Sequence, residues 1–434
     1  TPQLSKVTER LVGHWFLRLL HVSDSYGPNQ FAYTPQRGYR DVIAFLTCNW
    51  LFALAHGKRV GVFCSDVSGA FDRVSAERLL QKLRAKGVHD VLLQVISSWL
   101  RSRSAHVAVD GSLSSAFALF NMVFQGTVWG PPLWNVFFED ARLAVNLLGF
   151  VEGVFADDLN CFRVFDQTSS NENIQRELRA CQRSLHTWGA ANQVVFDPSK
   201  ESMHVLDRRA SQGEPFKILS VTFDTQLSMR SAVHEFAAEA GWRLKALLRS
   251  RRFYSTLQLV RLYKCHVLSY LDGAELAFLH LTSNAVSPVD AVQDTFLHEM
   301  GLSKEEALQK FGLEPLACRR DMDALTLLRR AQLQAVAPCV CKLFPLVSRV
   351  IYSYAGSSRL RHNRQLHDPV APGMPKFFTR SVFGRIRVYN GLSQDVIDCK
   401  TAKSFKQQLI RHLQRCSEVR PDWVHIYRDF DCYC

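Results

Sequence analysis

The spacing of apolar and polar positions changes several times along the chain, and each change marks an element. "SKVTERLVGHWFLRLLHV" (5–22) and "RDVIAFLTCNWLFALAHG" (40–57) carry apolar residues at helical spacing, and Gly57 stops the second. "RVGVFCSDV" (59–67), apolar through residues 60–64, reads as a buried strand. Ser75 can cap a helix that Gly87 ends. "AHVAVDGSLSSAFAL" (105–119) alternates around Asp110-Gly111 and predicts a hairpin. "PPLWNVFFEDARLAVNLL" (131–148) predicts one helix that opens on proline.

Two short apolar runs follow, "GFVEGVFA" and "LNCFRVF", with Asp157-Asp158 between them where a hairpin turn belongs. Residues 171–191 form an amphipathic helix with Ile174, Leu178, Cys181, Leu185 and Trp188 on one stripe. Strands are expected at "SMHVL" (202–206) and "KILSVTFD" (217–224). From about 230 to 335 the pattern is helical and basic. Residues 355–376 read as a linker rich in small residues, proline and base, and 377–415 ends in the helix "AKSFKQQLIRHLQR". The order of elements predicts an α+β fold, an antiparallel sheet with helices on one face. No internal repeat is evident.

Composition narrows this. Lys plus Arg number 53 against 40 Asp plus Glu, a net charge of +13, which points to an anionic partner: nucleic acid first, an acidic membrane surface second. Residues 111–138 carry no charge and are long enough to cross a bilayer. Asp110-Gly111, Asn121, Gln125 and Pro131-Pro132 in and beside the run favour a core segment instead, so no membrane is expected. "TPQLSKVTERLV" has no signal-peptide pattern, so the chain is expected inside the cell, in cytoplasm or nucleus, with its 12 cysteines reduced. Cys339-x-Cys341 and Cys432-x-Cys434 lack a matching pair at zinc-finger spacing.

Adjacent carboxylates repel, and burying them without compensation costs several kcal/mol, on the order of 2–7. A cation removes that penalty. "CSDVSGAFDRV" ends a strand at Asp66, so pairing of that strand with 151–156 would gather Asp66, Asp157 and Asp158 at one end of a sheet. Oxygen donors of this kind suit Mg²⁺, and two ions about 4 Å apart would serve phosphoryl chemistry.

Taken together, five ordered motifs resemble the reverse transcriptases of non-LTR (LINE-type) retrotransposons. "FADD" is similar to their Y/F-A-D-D motif, "DVSGAFDRV" to their first aspartate motif and "FQGTVWGPPLWNVFF" to their Q-G-x-x-x-G-P motif. "WGAANQVVFDPSKESMHVL" resembles their lysine segment and "KILSVTFDTQLS" the strand on the primer-grip side. The resemblance weakens towards "RSVFGRIRVYNGLSQDVIDCKTAKSFKQQL", which looks like the tail of such elements. Ser220 stands where the family usually has Gly, and Trp129 where it usually has Leu.

The resemblance implies a right-hand polymerase: partial helical fingers at 1–58, a palm at 59–228, an all-helical thumb at 229–335, a connector at 336–376 and a small C-terminal region at 377–434. The chain would begin inside the fingers, as a fragment or a decayed copy. Asp66 and Asp157 would bind two Mg²⁺ ions, with Mn²⁺ as a substitute, and Asp158 would support them. The backbone of Val67, Ser68, Gly69 and Ala70 would hold the triphosphate of a dNTP. Phe71 would be the gate against a ribose 2′-OH, Gln125 and Gly126 would border the incoming nucleotide, and Lys200 would protonate the pyrophosphate. Arg243, Lys245, Arg249, Arg251 and Arg252 would grip the RNA template and DNA primer by their phosphates. Arg37 would contact template, or be a surface arginine. Asp72 and Glu139-Asp140 read as solvated or structural. The rivals are an inactive nucleic-acid-binding relic and, last, a two-metal nuclease, which would lack the gate phenylalanine and the glutamine motif.

Overall fold

The computed structural model describes residues 3–101, 103–119, 121–348 and 362–428. The Cys432-x-Cys434 pair and residues 349–361 of the expected connector lie outside them. The chain divides into two compact units, Thr1–Val42 with Arg59–Leu206, and Ile43–Lys58 with Asp207–Cys434.

In the first unit, helices α1 (Gln3–Val22) and α2 (Tyr39–Ala55, whose later part belongs to the second unit) precede β1 (Arg59–Ser65). Helices α3 (Ala76–Ala85) and α4 (Asp90–Leu100) follow. Two ribbons come next, β2 (Arg103–Ala105) with β5 (Phe117–Leu119), and inside them β3 (Ala108–Val109) with β4 (Ser112–Leu113). Asp110 and Gly111 turn the inner hairpin at positive φ, as its sequence requires. Then come α5 (Gly130–Phe138), α6 (Ala141–Asn146), β6 (Val151–Phe155), β7 (Asp158–Phe165), α7 (Asn171–Asn192) and β8 (Ser202–Leu206).

The main sheet has the order β6-β7-β1-β8, antiparallel throughout. β1 lies inside it, and all seven of its residues are buried, which is why residues 60–64 are a continuous apolar run between Arg59 and Ser65. The sequence suggests that the strand leading to Asp66 pairs with 151–156. It pairs with β7 instead, the longer arm of the hairpin, and β6 takes the outer place. The eight residues of β7 give β1 a seven-pair register that the five-residue β6 cannot supply.

Ser170 caps α7 by accepting from Asn173 N at 3.2 Å, and Ile174, Leu178, Cys181 and Leu185 are buried. The helix approaches β1 at Gly61, where a Cβ would lie 2.9 Å from Ile174 Cγ2 and 3.0 Å from Phe165. The single helix expected over 131–148 is broken at Glu139-Asp140. Lys82 Nζ donates to Phe137 O and Asp140 Oδ1, both at 2.7 Å, and the chain resumes through a tight Leu143 N to Asp140 O bond. Glu139 pairs with Lys86 and Arg142, so this acidic dipeptide is structural.

In the second unit, the strand expected at 217–224 is a hairpin, β9 (Phe216–Ile218) with β10 (Val221–Phe223). It turns at Leu219, which adopts φ 53°, and Ser220 follows it in the turn. Trp50 packs against Phe223 at 5.3 Å and Phe216 at 6.1 Å. The rest is helical, including α8 (Arg230–Arg249), Thr256–Tyr263, Ser283–Met300, Leu316–Gln332 and Ala402–Val419. Arg319 bridges Asp272 and Glu314, Arg320 grips Asp290, and Arg385 meets Asp321. Among the described residues no helix is long and apolar enough to cross a membrane.

The close approach at Gly61 sets a test. Gly61→Val should cost about 2 kcal/mol of unfolding free energy, because neither Ile174 nor the sheet can retreat. Urea denaturation of the variant reads it, and an unchanged midpoint would show that α7 does not rest on β1.

Candidate active site

Asp66 follows the last residue of β1. The β1–β7 register pairs Ser65 with Leu159, so its next step sets Asp66 opposite Asp158. Side chains alternate along strands, which puts both carboxylates on the face of Val62 and Cys64 rather than that of Phe63 and Cys161. Asp157 sits beside them in the two-residue turn of the β6–β7 hairpin, between Phe155 and its partner Asp158. The expected hairpin tip is therefore present, and register brings the first aspartate to it.

The cost of this arrangement is visible in the acids. Burial, then the charges of Asp157 and Asp66 and a hydrogen bond to the Asp66 carboxyl, push Asp158 up to about 6. Asp157 is raised as well, by burial first and by Asp66 further, against a backbone hydrogen bond that lowers it. Lys200 Nζ lies 2.6 Å from Asp66 Oδ2, and that hydrogen bond is the main reason its ammonium is held above the usual lysine range. The lysine is brought there by the backbone: Asp197 N donates to Asp66 O, Ser68 N donates to Val195 O, and Lys200 N closes a turn on Asp197 O. The Ser68 N–H is thus already bonded within the protein, unlike the free donor expected for a triphosphate.

Among the described residues no group of three or more His, Cys, Asp or Glu side chains stands arranged as a metal-binding cluster. The cation that Asp66 holds is Lys200. The donor chemistry nonetheless suits a hard divalent ion: three carboxylates, an excess of negative charge, and raised proton affinity that such an ion would relieve.

Sequence alone did not reveal what fixes the tip. Ala156 takes φ 60°, a left-handed conformation that costs a non-glycine residue about 1–2 kcal/mol. Three hydrogen bonds hold it there. Gln30 Oε1 accepts from Ala156 N at 3.0 Å, Gln30 Nε2 donates to Ala156 O at 3.3 Å, and Trp134 Nε1 donates to the same oxygen at 3.1 Å. Residues 29–31 run parallel to β6, with Phe31 N to Val154 O at 2.9 Å and Val154 N to Asn29 O at 3.0 Å. Arg37 Nη1 bonds the carbonyls of Pro28 and Gln30, at 3.0 and 2.9 Å, so this arginine braces the loop bearing Gln30. Tyr33 is half exposed and feels the charge of Asp157.

Phe71 lies in the turn Ala70–Arg73 that follows Gly69, which takes φ 63°. Its ring stacks on Trp134 at 6.0 Å, and its carbonyl accepts from Val123 N at 2.9 Å, which ties it to the segment carrying Gln125 and Gly126. Gln125 and Gly126 are exposed, with Gly126 at φ 77°. The loop is anchored by buried Glu9 of α1, which accepts from Val128 N (2.6 Å), Trp129 N (3.4 Å) and Trp99 Nε1 (3.1 Å). Trp129 donates its indole N–H back to Glu9 O at 2.6 Å, a bond that leucine cannot make. In the second unit, Arg243 pairs with Glu239 and covers Tyr270, and Arg251 pairs with Glu299. Lys245, Arg249 and Arg252 are exposed.

Two measurements test this geometry. Gln30→Leu strands the Ala156 N–H, leaving the carbonyl only its Trp134 bond, and should cost about 2 kcal/mol in denaturant unfolding; an unchanged stability would remove the clamp. Asp158 has a raised folded pKa, so the protonated acid stabilises the fold below the ordinary carboxyl value, and that gain is lost as pH rises through about 6. In excess chelator, Asp158→Asn should therefore raise the melting temperature most at about pH 7.5 and progressively less as pH falls, with little change left below about pH 4. Equal shifts at both values would refute the crowding of these acids.

Residues 3–223 match the family model described as reverse transcriptase (RNA-dependent DNA polymerase). The RNA-directed DNA polymerase from mobile element jockey of Drosophila funebris is 27% identical over 285 residues, 61% of this chain and 31% of that protein. Its counterpart from Drosophila melanogaster is 34% identical over 140 residues, 32% of this chain and 15% of that protein. The chain thus spans less than a third of the length of either relative. Among solved structures, apo telomerase from Candida tropicalis is similar with a TM-score of 0.41 and 13% identity, over 78% of this chain and 56% of that one. With the aspartate pair, the glutamine motif and the lysine segment all inside the matched span, the chain belongs to the reverse transcriptase (RNA-dependent DNA polymerase) family, on its non-LTR retrotransposon side.

Proposed function

We propose that this chain is the polymerase part of a retrotransposon protein and extends a DNA primer along an RNA template. The observation that carries the reading is the meeting of Asp66, Asp157 and Asp158 beside Lys200 at one end of the sheet. Such a centre suits in-line phosphoryl transfer: the primer 3′-hydroxyl forms a bond to the α-phosphorus of a dNTP, the bond to the β-phosphate oxygen breaks, and pyrophosphate leaves.

When bound, two Mg²⁺ ions, or Mn²⁺ in their place, would lower the pKa of the attacking hydroxyl and neutralise the leaving phosphate, with Asp66, Asp157 and Asp158 as ligands. The protein's own groups do the rest. The strained turn at Ala156 fixes where the Asp157 carboxylate stands. Lys200, released from Asp66, would carry the proton that pyrophosphate needs. Val67, Gly69 and Ala70 offer backbone to the triphosphate at the turn after β1. Phe71, backed by Trp134, presents a rigid ring to the sugar, and Gln125 and Gly126 border the base. Lys245, Arg249 and Arg252 are available to meet duplex phosphates, with Arg243 and Arg251 held partly by their own acids. A protein that copies RNA in this way would work inside the cell.

Two outcomes check this. Asp157→Asn should lower primer extension on an RNA template by at least about 100-fold while leaving template–primer binding intact; extension at the parent's rate would remove Asp157 from the chemistry. Phe71→Ala should increase ribonucleotide incorporation relative to deoxyribonucleotide, and unchanged discrimination would end the gate assignment.

A further inference from the structure

Several buried or half-buried cations of the second unit hold carboxylates of their own. Arg319, Arg320, Arg385, Arg387 and Lys406 each hold a carboxylate at 2.5 to 2.8 Å, and even Arg251 of the basic stretch is paired. Arg208, Arg380 and Arg428 differ from these. Arg208 Nη1 donates to Gln226 O at 2.6 Å, Arg380 Nε to His280 O at 3.1 Å, and Arg428 Nη1 to Ser283 Oγ at 3.0 Å. All three partners are neutral, and among the described residues none of the three arginines has a carboxylate.

They also converge. The Arg208 guanidinium lies 4.8 Å above the ring of Phe377, and Phe377 and Arg380 are one turn apart on the helix Lys376–Arg380. His280, which Arg380 bonds, is three residues before Ser283, which Arg428 bonds. The three cations therefore surround one short stretch, 280–283. Their charges reach one another: the Arg380 guanidinium is held below its usual range by burial first and then by Arg208 and Arg428. Arg208 and Arg380 likewise add to the burial that lowers His280 to about 4, so His280 supplies no compensating charge and stays neutral. The helix Ser283–Met300 begins at the same place with no acid in its first turn, which adds to the positive potential. Arg208 is exposed and the other two are half-buried, so a ligand can reach them.

Three like charges gathered without an acid carry a repulsive cost that a bound anion removes. A guanidinium fork suits phosphate oxygens, and arginine at such a spot gives geometry as well as charge. We propose that Arg208, Arg380 and Arg428 form a second phosphate-binding site, separate from the aspartate centre, that takes backbone phosphates of the template–primer duplex. The choice of nucleic acid over a free anion rests on the polymerase reading above, and the test keeps the two apart.

The experiment measures binding of an RNA–DNA template–primer by fluorescence anisotropy across a salt series, with primer extension run in parallel. Arg208→Gln/Arg380→Gln/Arg428→Gln should bind about ten-fold more weakly and flatten the logarithmic salt slope by about one for each phosphate no longer held, while extension at saturating duplex is unchanged. Arg380→Lys alone, which keeps the charge, should retain the parent's slope. If the parent binds and extends and the triple variant keeps its affinity and slope, the second site is wrong and the polymerase reading stands. If the slope changes as expected but the parent never extends a primer, the site stands and the polymerase reading falls. If the triple variant keeps the parent's duplex affinity and slope yet loses a thermal stabilisation that inorganic phosphate gives the parent beyond chloride of equal ionic strength, the arginines hold a free anion and the nucleic-acid assignment is overturned. A thermal midpoint equal to the parent's shows that the triple variant is folded.

Discussion

Repulsion among three carboxylates governs this molecule. Cross-strand register sets Asp66 against Asp158, the hairpin turn adds Asp157, and burial denies all of them full hydration. Everything near the tip can be understood as holding that unfavourable group together. Lys200 lends one positive charge to Asp66, Gln30 and Trp134 pin the strained turn, and Arg37 stiffens the loop from which Gln30 reaches in. A fold free to relax would move the acids apart. That several bonds oppose relaxation is what the proposed cation-binding role requires of the tip.

Part of this was readable in the chain. Two apolar runs around an Asp-Asp pair can hardly be anything but a hairpin with acids at its tip, and Ser170 with the Ile174–Leu185 stripe dictated α7. The glutamine motif announced a loop before a helix. What the sequence could not convey was pairing between distant strands. The alternation of β6 and β7 is compatible with either one lying beside β1, and only the longer register decides it. The break between α5 and α6 depended on Lys82, more than fifty residues away, taking a backbone carbonyl. Gln30 and Glu9 gave no periodic signal at all, one in a loop and one as an ordinary acid in a helix, though both anchor the site. The Leu219 turn escaped notice because leucine seldom adopts positive φ.

Net charge speaks to the sign of a partner and not to its place. The excess of thirteen positive charges pointed to an anionic partner, and the stretch after residue 240 seemed its natural location. In the folded chain Arg243 and Arg251 have acids of their own, whereas Arg208, Arg380 and Arg428, far apart in sequence and unremarkable there, have none among the described residues. Counting basic residues along the sequence cannot separate these cases; only the pairing partners can.

The strip at residues 29–31 that lies along β6 has a kinetic consequence. Gln30 and Ala156 are 126 residues apart, so their bonds carry a high contact order and a large loop-closure entropy. The hairpin itself is local and quick to form. It must nevertheless wait, with Ala156 unsupported, until the N-terminal strip docks along its outer edge and seals an otherwise open strand. The acidic tip is thus among the last parts of its unit to mature, and a partly folded chain would hold its three aspartates loosely while the sheet behind them is already formed.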